Sequence, residues 1–122
     1  ESKVEFLGFQ SNPYKFMNAS DLFVMSSKWE GPGHVLIEAL GTGCPVITTN
    51  CPIGPSDSIQ NGEFGELVEV GNSKALSESI LYAFNNQSDM LLKAKKSEIY
   101  MKKFYTDNVV NEYKKLLINN NG

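Results

Sequence analysis

The stretch WEGPGHVLIEALGTGCPVITTN, residues 29–50, contains the clearest signals of secondary structure in this chain. From His34 to Leu40 the apolar residues recur with a helical period. The glycines of GTGCP and then Pro45 predict the end of that helix, because glycine caps helices and proline prevents their continuation. The apolar run PVITTN, residues 45–50, predicts a buried strand directly after it. A helix that returns to a buried strand is typical of a parallel α/β sheet.

The segments on either side continue the alternation of strand and helix. The run DLFVMSS, residues 21–27, is apolar at four consecutive positions, as expected of a strand covered on both faces. The predicted strands are residues 4–9, 21–27, 45–50 and 66–70, and the predicted helices are residues 14–20, 34–40, a segment after Asn72 and Ser73, residues 89–104, and a last helix capped by Thr106 or Asp107. This order predicts an α/β fold, a Rossmann-like parallel sheet flanked by helices.

Length and composition limit the number of domains and the kinds of site that the chain can contain. With 122 residues the chain is one domain, which we expect to span residues 1–118 before a disordered tail at 119–122. No apolar run approaches the ~20 residues that a membrane span needs. The two cysteines and the single histidine, His34, do not form a Cys/His cluster, so we expect no metal site and a reducing cytoplasm.

Charge is unevenly spread along the chain. Residues 1–90 carry four lysines against eleven acidic residues, whereas residues 91–122 carry seven lysines against three. Nucleic-acid binding is not expected, because the chain contains no arginine for bidentate phosphate and base contacts. The C-terminal lysines are expected on solvated helix faces, with peripheral membrane contact as the second interpretation.

The glycine turn before the helix is a candidate anion site. Ligands of such sheets bind beyond the carboxyl ends of the strands, where this turn is predicted to lie. Gly31 and Gly33 let the backbone approach a ligand, and Pro32 has no N–H to donate. The available donors are therefore the amides of Gly33, His34 and Val35 at the helix N-terminus. The turn is neither a P-loop nor a dinucleotide fingerprint.

Two carboxylates flank this turn in the sequence. Glu38 falls about one turn into the helix, where it could accept hydrogen bonds from a ribose diol, and Glu30 precedes the turn. A nucleotide diphosphate-sugar, with hydroxyls at both ends and phosphates between, fits this order. Both residues could equally be surface carboxylates that stabilise a helix start.

The segment EGPGHVLIEALGTGCPVITT resembles the donor motif of the retaining glycosyltransferases of family four, the group 1 transferases, in which two glutamates are separated by seven residues. The segments EFLGFQSNPYKFMNASDLFVMSS and GPSDSIQNGEFGELVEVGN are similar to the regions on either side of that motif, so the resemblance covers about residues 3–118. It implies the C-terminal, donor-binding half of a two-domain transferase of the GT-B type. The chain alone is then expected to bind donor weakly and to catalyse little.

The resemblance also implies roles for individual residues. Glu38 would hold the ribose hydroxyls, and the amides of Gly33, His34 and Val35 would cradle the diphosphate. Glu30 would be the catalytic residue and contact the hydroxyls of the transferred sugar, with a positioning and electrostatic role favoured over that of a covalent nucleophile. The base would lie near Gly8, Phe9 and Gln10. Pro32 departs from the family pattern, which commonly has an aromatic residue there, so sugar contacts at that point are in question.

The implied reaction keeps the anomeric configuration and releases a nucleoside diphosphate, without a cofactor or a required metal. A UDP-sugar donor and a glycan or lipid-linked acceptor, bound through an N-terminal domain upstream, are expected. Cell-surface polysaccharide synthesis in the cytoplasm, at the inner face of the plasma membrane, follows from the same resemblance. The alternatives are a non-catalytic nucleotide-sugar-binding module, a sugar epimerase or phosphorylase of the same architecture, and a receiver-like signalling domain, which Asp21 fits poorly because it precedes its strand.

Overall fold

The computed structural model describes residues 3–31 and 33–119, the last four of them as backbone only. Short strands alternate with helices through this part of the chain. In order, the elements are α1 (Tyr14–Ala19), β1 (Phe23–Met25), α2 (His34–Gly41), β2 (Val46–Thr49), α3 (Pro55–Ser58), a 3₁₀ turn (Gln60–Gly62), β3 (Glu66–Val68), α4 (Ser73–Asn85), α5 (Gln87–Met101), a second 3₁₀ turn (Lys102–Phe104) and α6 (Thr106–Asn119).

The three strands form one parallel sheet in the order β1-β2-β3. In the register, Phe23 lies opposite Val46, and Thr49 lies opposite Val68. The central strand β2 is buried along its whole length, including its two threonines, so it shows no alternation of buried and exposed positions. The predicted parallel α/β sheet is therefore confirmed.

The sheet divides the hydrophobic core into two clusters. Consecutive side chains of a strand point to opposite faces, and accordingly Val46 belongs to one cluster and Ile47 to the other. The first cluster contains Met17, Met25, Leu36, Ala39, Leu40, Val46, Ile59, Phe64 and Met101. The second contains Ile47, Val68, Ala83 and Met90. Helices therefore cover both faces of the sheet, as predicted.

Helix α2 begins and ends at glycines in the left-handed conformation. Gly33, at its N-cap, has φ +66°, and Gly43, just past its end, has φ +72°. The amide of Gly43 donates to the carbonyl of Leu40 at 3.1 Å, and the amide of Cys44 donates to Ala39 at 3.3 Å. The chain thus turns from α2 into β2 within a few residues, because glycine adopts positive φ without steric cost.

The strand predicted for residues 4–9 is not formed. This segment has no regular secondary structure, and Gly8 within it has φ +60°, which interrupts an extended run. The side chains of Phe6 and Phe9 are 95% and 94% exposed. The prediction was wrong because apolar, β-prone composition forms a strand only where a neighbouring strand supplies hydrogen bonds and packing.

The other boundaries differ from the predicted ones by a few residues. Each predicted strand is shorter in the structure, and the helix predicted to begin at residue 89 already begins at Gln87. The predicted cap at Asn72 is confirmed, because its side chain accepts a hydrogen bond from the Ala75 amide at 2.9 Å. Of the tail predicted at 119–122, Asn119 ends α6 and the other three residues lie outside the described part of the chain. Within the described residues, no helix has both the length and the apolar character needed to cross a membrane.

Candidate functional site

The candidate site lies at the edge of the sheet where β1 and β2 end. Because the two strands are parallel, the loop after Met25 and the loop after Thr49 leave the sheet at the same edge. The first loop leads into α2 through Gly33, which is buried. The N-terminus of α2 therefore begins at this edge, as the sequence predicted.

The N-terminus of α2 has donors to offer a ligand. The first bonds within the helix come from the amides of Leu36 and Ile37, which donate to the Gly33 carbonyl at 2.9 and 3.2 Å. No side chain among the described residues caps the helix, and His34 and Val35 are exposed. The amides of Gly33, His34 and Val35 precede these two, and together with the positive end of the helix dipole they can bind an anion.

Glu30 is held in the loop before α2 by a short hydrogen bond. The hydroxyl of Ser27 donates to Oε1 of Glu30 at 2.6 Å. The carbonyl of Ser27 in turn accepts a hydrogen bond from the hydroxyl of Thr49 at 2.5 Å, although 22 residues separate the two in sequence. The carboxylate is half-buried. Glu30 is thus connected through Ser27 to the end of the central strand.

Glu38 lies on the same face of α2 as His34, because residues four apart on a helix are neighbours. Its Oε1 lies 3.4 Å from the hydroxyl of Tyr14, the first residue of α1. Glu38 also faces an open cleft of about 660 Å³. The cleft is lined by Tyr14, Ile37, Glu38, Gly41, Thr42, Met101, Phe104, Tyr105, Thr106 and Asp107.

The remaining predicted site residues, Gly31, Gly8 and Phe9, are exposed. Gly31 is exposed, and a Cβ built on it would meet nothing within 4 Å. Gly8 likewise has open space around it, and the ring of Phe9 is almost fully exposed. The side chain of Gln10 donates to the Leu7 carbonyl at 2.8 Å, within its own segment. The role of Gly8 and Phe9 in binding a base therefore stays a prediction.

The sequence reading missed Ser27, Thr49 and the contact of Tyr14 with Glu38. The spacing of a serine three residues before Glu30 was a visible signal, because a hydroxyl at that distance can reach the carboxylate. The link to Thr49 has no such signal, since it depends on the register between two strands.

The lysines of the C-terminal helices are largely paired with acidic residues. Burial lowers the pKa of Lys93, but its hydrogen bond to Glu66 and the charges of Glu66 and Asp89 outweigh this and raise the pKa. The other pairs are Lys95–Glu98, Lys102–Glu98, Lys96–Glu63 and Lys115–Glu112. This segment therefore presents less positive charge than its lysine count suggests.

The two cysteines and the possible metal-ligating side chains are the remaining candidates for a reactive or metal-binding site. Cys44 and Cys51 are free and buried, and burial raises the pKa of the Cys44 thiol, so its reactive thiolate form is disfavoured. Among residues 3–31 and 33–119 no group of three or more His, Cys, Asp or Glu side chains is arranged to hold a metal ion.

The family model described as "Glycosyl transferases group 1" matches residues 1–103. The chain belongs to this family. Over 98 residues it is 38% identical to N-acetylgalactosamine-N,N'-diacetylbacillosaminyl-diphospho-undecaprenol 4-alpha-N-acetylgalactosaminyltransferase of Campylobacter jejuni, and this match covers 80% of the chain and 26% of that enzyme. Over 78 residues it is 44% identical to the capsular polysaccharide biosynthesis glycosyltransferase CapM of Staphylococcus aureus, which covers 64% of the chain and 20% of CapM.

Solved structures share the fold of this group 1 chain. The Anabaena protein HepE, crystallised in complex with UDP, superimposes with a TM-score of 0.83 and 24% identity, covering 96% of the chain and 32% of HepE. The structural neighbours have the GT-B fold, and the chain matches only part of each. The predicted family and fold class are therefore confirmed, and the chain spans about a quarter or less of the length of the two curated relatives.

Proposed function

We propose that this chain is the donor-binding part of a retaining glycosyltransferase that uses a UDP-sugar. The observation that carries the proposal is the N-terminus of α2, which has no side-chain cap among the described residues, with Glu30 held in the loop before it and Glu38 one turn into the helix. The full enzyme transfers the sugar to a glycan or lipid-linked acceptor in cell-surface polysaccharide synthesis. The names of the two curated relatives support this class, since one names an undecaprenol-linked acceptor and the other a capsular polysaccharide.

In the proposed complex the diphosphate lies at the N-terminus of α2. The amides of Gly33, His34 and Val35 donate to it, and Gly31 leaves room for the backbone to approach. During transfer the bond from the anomeric carbon to the phosphate breaks, and negative charge develops on the departing nucleoside diphosphate. Fixed N–H donors stabilise this charge, and a single donor of this kind contributes roughly 2.7–4 kcal/mol in other enzymes. The proposed mechanism requires no metal or cofactor.

The two carboxylates bind opposite ends of the donor. Glu38, one turn into α2 beside the open cleft, accepts hydrogen bonds from the ribose hydroxyls. Glu30 accepts hydrogen bonds from hydroxyls of the transferred sugar, acting by position and charge rather than as a covalent nucleophile. Gly8 and Phe9 flank the base, where the exposed ring of Phe9 is free to stack on it.

The acceptor and the membrane contribute contacts beyond this chain. We propose that an N-terminal domain upstream binds the acceptor, and that the enzyme works in the cytoplasm at the inner face of the membrane. Because Lys95, Lys102 and Lys115 are paired with glutamates, this segment contributes only weak electrostatic attraction to that membrane contact. On its own the chain binds donor weakly and transfers little sugar.

Titration of the nitrogen-15-labelled chain with UDP, GDP and UDP-sugars tests the donor site. Saturable shifts of the Gly33, His34 and Val35 amides are expected, with UDP binding more tightly than GDP. Glu38→Ala should weaken these shifts, whereas Glu78→Ala, which removes an exposed carboxylate of α4, should not. Shifts elsewhere, or none at millimolar nucleotide with this chain and with a chain extended by the upstream half-domain, would refute the proposal.

A further inference from the structure

We propose that Ser27, fixed by Thr49, is a positioning residue that orients Glu30 toward the donor sugar. The inference rests on the proposed function, because it concerns the same carboxylate. It assigns a role to two hydroxyl side chains that do not themselves need to touch the donor.

Thr49 provides a rigid starting point. It is the last residue of β2, which is hydrogen-bonded to a strand on each side, and it is 4% exposed. Its hydroxyl donates to the carbonyl of Ser27, two residues beyond the end of β1, at 2.5 Å. The first residues of the loop are therefore tied to the centre of the sheet and not only to the edge strand that they leave.

Ser27 carries this order to the carboxylate. Its carbonyl accepts from Thr49, and its hydroxyl donates to Oε1 of Glu30 at 2.6 Å, a distance typical of a charge-assisted O–H···O⁻ bond. A carboxylate has about four acceptor positions, so this bond fixes the group and leaves most of them for a ligand. Glu30 is half-buried, which leaves part of it accessible from the site.

The position of the loop explains why such support is needed. Glu30 is followed by Gly31, Pro32 and Gly33; the proline fixes its own φ, but the glycine on each side of it leaves the loop more conformational freedom than other residues would. A glutamate on such a loop samples many rotamers unless its head group is held. A binding group on a loop loses affinity when the residues that support it are removed.

The test distinguishes the affinity that the sugar contributes from the affinity that the nucleotide contributes. Dissociation constants of the chain for UDP, UDP-glucose, UDP-N-acetylglucosamine and UDP-N-acetylgalactosamine are measured for the wild type and for Ser27→Ala, Ser27→Thr, Thr49→Val and Thr49→Ser. Ser27→Ala and Thr49→Val should reduce the extra affinity that the sugar gives over UDP about three- to tenfold, with UDP binding unchanged. The two variants that keep the hydroxyl should retain it.

A loop-closing role for Ser27 predicts a different pattern. If Ser27→Ala weakened UDP and the UDP-sugars by the same factor, or weakened neither, the positioning role would be wrong. If the wild type bound no nucleotide at the α2 N-terminus, the proposed function itself would fail, and this inference with it.

A second measurement does not depend on the donor. In the free protein, NMR couplings should report a single χ1 rotamer for Glu30 in the wild type and an averaged rotamer in Ser27→Ala. The folding of each variant is checked by its urea midpoint. Averaged couplings for Glu30 in the wild type would refute positioning by Ser27 whatever ligand the site binds.

Discussion

Glu38→Gln is expected to weaken UDP binding through the ribose alone. Glutamine keeps the length and the helix propensity of glutamate, so α2 should be preserved. The Tyr14 hydroxyl lies 3.4 Å from Oε1 of Glu38, well beyond the usual ~2.7–2.8 Å of an O–H···O bond, so the loss of this contact should cost little. The free energy of unfolding is therefore expected to change by less than about 0.5 kcal/mol.

The size of the effect follows from the charge of Glu38. Hydrogen bonds to charged groups contribute about 1.5–3 kcal/mol, whereas neutral ones contribute about 0.5–1.5 kcal/mol. Replacing the carboxylate by an amide turns two charge-assisted bonds from the ribose diol into at most one or two neutral bonds. A loss of about 1.5–3 kcal/mol is expected, which corresponds to a roughly ten- to hundredfold higher dissociation constant for UDP.

Isothermal titration of UDP and of its 2',3'-dideoxy analogue isolates this contribution. The wild type should prefer UDP strongly, whereas Glu38→Gln should keep only the smaller preference that neutral hydrogen bonds to the ribose give, and its affinity for the analogue should match that of the wild type. Glu78→Gln serves as the matched control, because Glu78 is an exposed carboxylate on α4. An equal loss of affinity for both nucleotides in Glu38→Gln would show that this carboxylate does not bind the ribose.

Three predictions concern the fold. Gly65→Ala should destabilise the chain by about 1–3 kcal/mol, because a Cβ there would lie 2.6 Å from a backbone oxygen of β2. Gly41→Ala should instead stabilise it by a few tenths of a kcal/mol or more, because this helix position has open space for a Cβ. Urea unfolding measures both changes. Asn72→Ala should cost about 0.5–2 kcal/mol through loss of the α4 cap, and the acceptor-retaining Asn72→Asp should cost less. The pKa of Lys93 is raised in the folded state, so the stability from its pairing with Glu66 is present below the unfolded pKa of about 10.4 and is lost as the pH rises through the folded pKa. The urea midpoint should fall more steeply with pH above about pH 10 in the wild type than in Lys93→Met.

Each of these three has an outcome that would contradict it. Equal midpoints for Gly65→Ala and Gly41→Ala would mean that the loop at Gly65 moves away from β2 without cost. Asn72→Asp as unstable as the alanine variant would remove the capping bond as the cause. Parallel alkaline profiles for the wild type and Lys93→Met would assign the loss of stability to other groups, such as the tyrosines.

The parallel sheet and the helix at the candidate site could be predicted because local signals agree with the fold there. The segment that became β2 is buried, and the glycines before and after α2 have the positive φ that only glycine adopts readily. The expectation that the run in residues 21–27 is covered on both faces was wrong, because β1 is an edge strand of this sheet and its Val24 is exposed. The two glutamates were visible from their spacing. In this stretch propensity, hydrophobic pattern and turn chemistry all point to the same structure.

The failures have the opposite origin, since they depend on groups distant in sequence. Residues 4–9 carry a strand-like pattern, but they are not part of the three-stranded sheet of the described chain, because strand formation depends on a partner that is distant in sequence. The bond from Thr49 to Ser27 requires the parallel register of β1 and β2, and the contact of Tyr14 with Glu38 requires α1 to pack beside α2. The order of residues along the chain does not specify the distances between groups that are so far apart in sequence.

Because β2 lies at the centre of the sheet, the two ends of the candidate site differ in how often their supporting structure opens. Glu30 is connected through Ser27 to β2, whose hydrogen bonds open only when the whole sheet comes apart. Glu38 instead faces a cleft bounded by α1, a helix of six residues that can fray by itself, as short helices do. Hydrogen exchange should therefore be slow in β2 and fast in α1. If the donor binds as proposed, the sugar end of the site is ordered before binding and the ribose end becomes ordered on binding.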